Sequence, residues 1–188
     1  MRWVELEIGG VRWLVSSTYV APAGVADAER IARENGAELA TPAIVDAIWR
    51  AADLKLEPIP MWPNLGDNEA QFREHAAKIA AQIGGRPFRL LAGTHKDVVR
   101  CSNGHVGIYG WHRTNGKPIQ DCNSTSHPVG SNYKDYSQGV RLVRRVTPGS
   151  EALAGAVVGG AAGALAFGWV GASVGALVGA VGALLVKR

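Results

Sequence analysis

Histidines and aspartates are concentrated between His95 and Asp135, a stretch that holds four of the chain's five histidines. Neutral imidazole and carboxylate are the usual protein ligands of a hydrolytic zinc ion, which lowers the pKa of its bound water to about 7. Three such ligands are sufficient, because the remaining position is kept for water. The sequence therefore predicts a candidate zinc site with ligands from His95, Asp97, His112 and His127, and with Asp135 as a further candidate.

The same residues could also act without a metal. A histidine serves as general base when a carboxylate such as Asp97 or Asp135 orients its ring, and Cys101 beside His112 would be the covalent version. The chain has no HExxH, CxxC or nucleophile-elbow motif that would decide between these schemes. Our catalytic candidates are therefore His95, His112, His127 and Asp135, and the alternative is that these side chains only bond backbone or solvent.

Aromatic and amide side chains near this stretch are candidates for holding a substrate. Trp62 lies in the proline-rich segment 56–66, which predicts an extended loop. An aromatic ring in such a loop can offer a stacking surface to a sugar or a peptide, and the alternative is a ring that folds back onto its own domain. The substrate-binding candidates are Trp62, Gln120, Tyr133 and Tyr136.

A hairpin and three helices are predicted ahead of the histidines. Apolar residues alternate with polar ones on both sides of Gly9-Gly10, which favours a hairpin. Helical spacing runs from 27 to 35, where Gly36 can cap the end, and resumes after Thr41-Pro42, an N-cap followed by a first-turn proline. The third helix is expected from Asn68 to about Ile83.

Short strands and one long loop follow the helices. Strand-like runs begin near Phe88, Asp97, His105 and Gly139, and the polar segment from Arg113 to Lys134 separates the last two. Helices first and strands afterwards are typical of an α+β domain, here with short antiparallel strands. A loop of that length in a compact domain is usually functional or disordered, so we expect it to contribute to the site.

Several sequence blocks resemble a family of bacterial and phage-associated proteins of unassigned activity. The blocks are THKDVV, IYGWH, GKPIQ, the lone His127 and YKDYSQGVRLV, together with LATPAIVDAIW and the loop ending in Pro60-Met61. The resemblance covers about Leu39 to Val143 and leaves out the hairpin and the C-terminal segment. The family pattern reads YSHG where this chain has Gln138, so a scheme that needs a histidine there does not carry over.

The last part of the chain has the composition of a membrane segment. Residues 152–186 carry no charge, and glycine recurs there at four-residue spacing, which lets two helices approach closely in lipid. One straight helix of this length would measure roughly 50 Å against a hydrocarbon core of about 30 Å, which favours a helical hairpin over a single tilted span. A helical pair packed inside a protein tube or oligomer is the third interpretation. The packing glycines are Gly155, Gly159, Gly163, Gly171, Gly175 and Gly179.

Composition divides the chain into a soluble domain (1–147), a linker (148–151) and the glycine-rich segment (152–188). The first residues lack the pattern of a secretory signal peptide, so we expect a protein that is membrane-associated or packaged in a phage particle. The net charge of +4 is spread without basic clusters, which argues against a nucleic-acid partner. Cys101 and Cys122 either form a disulfide or stay reduced, and the sequence leaves both open.

Three functions are compatible with this organisation. The favoured one is a cell-wall-active hydrolase, expected as a phage virion or tail component, whose soluble domain acts on peptidoglycan while its tail engages the membrane. The second is a non-enzymatic phage or secretion-system component that docks on phage structural proteins and penetrates the membrane with its tail. The third is a holin-like or toxin pore former that self-associates through the glycine face. Zinc is the only cofactor the sequence suggests.

Overall fold

The computed structural model describes residues 1–122 and 133–147, which form an α+β domain. The helices are α1 (Val25–Glu34), α2 (Pro42–Ala51) and α3 (Glu69–Ile83). The strands are β1 (Trp3–Ile8), β2 (Val11–Ser16), β3 (Glu38–Leu39), β4 (Leu54–Lys55), β5 (Leu91–Ala92), β6 (Lys96–Arg100), β7 (Val106–Gly110), β8 (Gln138–Gly139) and β9 (Leu142–Arg145).

The predicted N-terminal hairpin is confirmed and forms one side of a four-stranded sheet. β1 and β2 pair antiparallel from Trp3 opposite Ser16 to Ile8 opposite Val11. Gly9 and Gly10 both have positive φ, as a two-residue hairpin turn of this hand requires. The sheet order is β1-β2-β9-β3, so the last strand of the domain is inserted beside the first hairpin.

Two smaller sheets complete the domain, and the three-stranded one carries Asp97 and Tyr109. In one, β6 lies between β7 and β8, and in the other β4 pairs with β5. The β6–β7 pair is antiparallel as expected, but β6–β8 and β4–β5 are parallel. The expectation of antiparallel strands is therefore confirmed for the other strand pairs of the described residues, including the short β3–β9 pair, and is wrong for these two. The two parallel pairs join segments that are distant in the sequence, so no local turn signal announces them.

Each helix begins or ends at the predicted signal. The Thr41 side chain accepts a hydrogen bond from Ile44 N ahead of Pro42, and the Asn68 side chain accepts one from Gln71 N. Gly84, just after α3, adopts the left-handed conformation that favours glycine at a helix end. Local capping chemistry thus sets the helix limits, while the buried faces set where the helices pack.

Helix α3 packs on the domain through apolar contacts at both of its ends. Phe72 joins a cluster with Met61, Trp111 and Tyr136 near its N-terminus. Ile79 and Ile83 pack on Leu54, Leu56 and Leu91 near its C-terminus. His75 lies between these two contacts and is almost fully buried.

Cys101 and Cys122 form a disulfide, which decides between the two states that the sequence left open. The bridge joins the residue after β6 to a residue of the loop that follows β7. It therefore encloses β7 and His112 within one covalent ring.

Several predictions fall outside the described residues. These are the linker 148–151, the glycine-rich segment 152–188 with its six packing glycines, and the part of the long loop that contains His127. Within residues 1–122 and 133–147, no helix is long and apolar enough to cross a membrane.

Candidate functional site

His112 is set in place by an unusual backbone at the end of β7. Gly110 has φ +83° and Trp111, although not glycine, has φ +51°. A bulky residue in this conformation is strained, and such strain persists where the surrounding structure fixes the residue. Trp111 is fixed by burial and by its indole N–H, which donates to Thr94 O over 3.2 Å. The reversal places the next side chain, that of His112, against α2.

The His112 ring is held by an acid and an aromatic ring of α2. Its Nε2 lies 2.9 Å from Asp46 Oδ1, and its plane stacks on Trp49 with ring centroids 5.2 Å apart. Tyr109 donates its hydroxyl to the same Asp46 oxygen over 3.0 Å. His112 is buried, whereas the Asp46 side chain is 35% exposed. This is the arrangement of an oriented imidazole, with Nδ1 as the ring nitrogen that Asp46 does not occupy.

The Asp46 carboxylate also affects the pKa of the neighbouring Tyr109 hydroxyl. Burial, followed by the hydrogen bond to Asp46 and the negative charge of that carboxylate, raises the pKa of Tyr109 to about 12. Tyr109 therefore stays protonated at neutral pH and acts as a hydrogen-bond donor. His112 and Tyr109 together fix one oxygen of Asp46.

Asp97 lies on the other side of Gly110. A methyl group at Gly110 would lie 3.3 Å from both Asp97 Oδ2 and His112 Cε1, so glycine allows this close approach. Asp97 is buried and accepts a hydrogen bond from Tyr19 OH over 3.1 Å. Burial raises the pKa of Asp97 to about 7, although the positive charge of Arg141 opposes the shift. At neutral pH this carboxyl is poised between its protonated and ionised forms.

His95 belongs to a second cluster, with His75 of α3. The two ring centroids lie 5.1 Å apart at nearly right angles, and His95 also contacts the ring of Tyr19. Both imidazoles are buried, and burial lowers the pKa of His75 to about 4 and that of His95 well below its usual value. A pocket of about 20 Å³ adjoins both rings, which is room for one water molecule. The buried His75 Nε2 has no hydrogen-bond partner among the described residues.

Asp135 is fully buried and surrounded by donors. Lys96 Nζ lies 3.4 Å from Oδ2. The remaining donors are Ser137 through its backbone N–H and hydroxyl, Asn64 through its side-chain amide, and Tyr133 through its hydroxyl. Burial alone would raise the pKa of Asp135, but Lys96 and these hydrogen bonds outweigh it and hold the pKa below its usual value. Asp135 is therefore an ionised anchor for the surrounding loops.

The predicted substrate-binding residues have different surroundings. Trp62 is 94% exposed. Tyr133 is bonded to the loop that carries Trp62, because Asn64 Nδ2 of that loop donates to Tyr133 OH over 2.7 Å. Tyr136 is buried, and its hydroxyl accepts a hydrogen bond from Met61 N. Gln120 pairs through its backbone with Gly110.

The predicted zinc ligands that the structure describes have different partners. His95 faces His75, Asp97 faces Tyr19 and His112 faces Asp46. Among the residues that the structure describes, no group of three or more His, Cys, Asp or Glu side chains fits a metal ion. His127 lies outside those residues. The zinc site stays a prediction, and we derive no reaction step through a metal.

Two residues of these clusters were missing from the sequence-based candidates. Asp46 is the only charged residue in the first eight positions of α2, and it precedes Trp49 by three positions, so the two share a helix face. His75 lies on the buried face of α3 with Phe72 and Ile79. The sequence signals available for these two residues were an acid among apolar residues in α2 and a histidine on the apolar face of α3.

Comparisons with known proteins add no match: no family model, curated protein or solved structure is similar enough to align with this chain. The resemblance to phage-associated proteins therefore stays a prediction.

Proposed function

We propose that this protein is a cell-wall-active hydrolase that acts on peptidoglycan, with His112 as general base and Asp46 as the residue that orients it. The observation that carries the proposal is the 2.9 Å contact between His112 Nε2 and Asp46 Oδ1. The imidazole is buried in this pair, and the Asp46 carboxylate is partly exposed. In this scheme, Nδ1 takes a proton from the water that attacks the scissile bond, and Asp46 stabilises the imidazolium that forms. The imidazolium then gives this proton to the leaving group as the bond breaks. General-base catalysis of this kind contributes typically 10²–10⁴-fold to a rate.

The disulfide supports an envelope location for the domain. Disulfides persist in oxidising surroundings, such as the bacterial periplasm, and are rare in the cytosol. Peptidoglycan lies in the same space as those oxidising conditions. The proposal therefore places the domain on the outer side of the inner membrane, held there by the glycine-rich segment or delivered by a phage particle.

The first experiment incubates the full-length protein in a mild detergent with purified peptidoglycan and follows soluble fragments by mass spectrometry. We expect fragments from the wild type and a loss of at least about 100-fold in rate for His112→Ala and Asp46→Asn. His105→Ala is the matched control, because His105 follows the turn at Gly104 and has no contact with Asp46 among the contacts described. A parallel reaction with EDTA tests the predicted zinc.

Two results would contradict the proposal. One is an absence of fragments from a protein whose circular dichroism shows it to be folded. The other is unchanged cleavage by both variants, which would remove His112 and Asp46 from the mechanism.

A second candidate is a non-enzymatic component of a phage or secretion particle. The burial of His95, Asp97 and His112 favours it, because a polymeric substrate must reach the groups that act on it. Copurification of the protein with intact particles, without release of wall fragments, would support this second function.

A further inference from the structure

The loop after Met61 holds one aromatic ring almost entirely in solvent. Trp62 is 94% exposed, and Leu65, three positions later, is 55% exposed. Indole rings usually bury most of their surface, since their apolar area is large. A tryptophan displayed in this way is informative only if the structure holds it there.

Side-chain hydrogen bonds hold the loop on both sides of the ring. Met61 N donates to the hydroxyl of buried Tyr136 over 2.7 Å. Gln71, a buried residue of α3, accepts from Leu65 N over 3.0 Å and donates to Pro63 O over 2.7 Å. The backbone that carries Trp62 is thereby fixed before and after the ring.

A third attachment joins the loop to the buried ion pair. The Asn64 side chain accepts from Gly66 N over 3.0 Å and donates to Asp135 Oδ2 over the same distance. Asp135 is in turn paired with Lys96. Because the loop is ordered before any ligand arrives, a ligand that stacks on Trp62 has little ordering entropy to overcome.

We propose that Trp62 is a stacking platform for a pyranose ring of a glycan strand, a subsite that rests on the proposed action on peptidoglycan. The face of an indole carries negative potential, which attracts the weakly positive C–H bonds on the face of a pyranose. Hydroxyl and N-acetyl groups at the edge of the sugar need polar partners nearby. The ion pair between Lys134 Nζ and Asp67 Oδ1, 3.0 Å long and at the end of this loop, can supply them.

Two other occupants fit the surface less well. A protein partner would need a contiguous apolar patch, whereas Leu65 is the one other exposed large apolar side chain of this loop among the described residues. A lipid surface with anionic headgroups would need unpaired basic charge, but Lys134 is paired with Asp67. A ligand with an apolar face and a polar edge suits a single exposed indole ring and the Lys134–Asp67 ion pair at the end of its loop.

The test measures binding of a β-1,4-linked N-acetylglucosamine hexamer to the full-length protein in mild detergent by calorimetry. We expect saturable binding by the wild type and a dissociation constant at least about tenfold higher for Trp62→Ala. Trp62→Tyr keeps an aromatic face and is expected to stay within about threefold of the wild type. Ile119→Ala removes an exposed apolar side chain elsewhere and should leave the affinity unchanged.

Equal affinity of Trp62→Ala and the wild type, or no binding by the wild type, would overturn the platform. Binding to phosphatidylglycerol vesicles without binding to the hexamer would also overturn it. Vesicle binding through Trp62 is measured as a blue shift of tryptophan fluorescence that Trp62→Ala lacks. Cleavage is measured separately on peptidoglycan. Hexamer binding without cleavage would support the stacking platform and contradict the proposed hydrolase. Cleavage by Trp62→Ala with an unchanged KM would support the hydrolase and contradict the platform.

Discussion

His75 and His95 meet edge to face in the interior, with ring centroids 5.1 Å apart, although they come from α3 and from the segment before β6. His75 also contacts the Tyr136 ring, with centroids 4.9 Å apart. Two buried imidazoles in contact cannot both be charged without strong repulsion and a large desolvation cost. The docking of α3 therefore depends on a neutral histidine pair.

Acid should loosen this packing. The pKa of folded His75 is about 4, against an ordinary value of 6.5, so the unfolded chain binds the extra proton between those values. Stability from His75 is complete above about pH 6.5 and falls by about 1.4 kcal/mol per pH unit towards pH 4. The low pKa of His95 acts in the same direction: burial lowers it most, His75 and Arg141 lower it further, and the negative charge of Asp135 opposes them.

The effect of Asp97 on stability has the opposite pH dependence and must be distinguished from that of the histidines. Its pKa is raised to about 7 in the folded state, so its contribution to stability increases as the pH falls from 7 towards 3.8. The free energy of unfolding in urea is compared between the wild type and His75→Gln at several pH values. The contribution of Asp97 is present in both proteins and therefore cancels in the comparison. We expect a shallower loss of stability between pH 6.5 and 4 in the variant. An identical pH slope would contradict the neutral pair, and His105→Gln serves as the control.

Much of the fold was predictable because its signals are local. Gly9-Gly10 specifies a hairpin turn, and Thr41 and Asn68 cap helices through hydrogen bonds to residues three positions away. β3 and β4 are two residues long and pair with strands far away in the sequence, so no periodicity reveals them. Their positions depend on tertiary packing.

The candidate site was predictable on one side only. His112 stood out as a histidine at the end of a strand, but its carboxylate partner is Asp46, 66 positions earlier, rather than Asp97 or Asp135. Spacing cannot identify such a pair, since the fold alone brings α2 against the end of β7. The exposure of Trp62 was one of two open interpretations, and the hydrogen bonds of its loop account for it.

The Lys96–Asp135 pair should respond asymmetrically to substitution. Asp135→Ala leaves the buried Lys96 ammonium without its carboxylate, which costs about 3–5 kcal/mol in comparable sites. Lys96→Met should cost less, because Asp135 keeps the hydrogen bonds from Ser137, Asn64 and Tyr133. The free energy of unfolding from urea titration ranks the two variants.

The exposed pair between Glu74 and Lys78 of α3 is the matched control for that comparison. Glu74→Gln should change stability by no more than about 0.5 kcal/mol. If Lys96→Met proves more damaging than Asp135→Ala, Asp135 depends on Lys96 more than on its hydrogen bonds.

The glycine-rich segment gives a prediction from sequence alone. Gly159→Leu with Gly175→Leu should reduce association of the full-length protein in detergent, because leucine on the glycine face keeps two helices apart. Ala161→Leu with Ser173→Leu adds similar bulk two positions from each glycine, on the other side of a helix. Chemical cross-linking followed by electrophoresis measures the result. Equal cross-linking in both double variants would argue against packing through this face.

Removal of the Cys101–Cys122 disulfide should destabilise the domain without unfolding it. The bridge closes a loop between residues 21 positions apart, and loops of this size contribute about 3 kcal/mol through the lost entropy of the unfolded chain. The double variant Cys101→Ser with Cys122→Ser should therefore melt at lower temperature than the wild type. A thiol reductant should lower the melting temperature of the wild type to that of the variant and leave the variant unchanged. A wild type that does not respond to reductant, although mass spectrometry shows both thiols to be free, would mean that the packing around Cys101 holds this loop without the covalent bond.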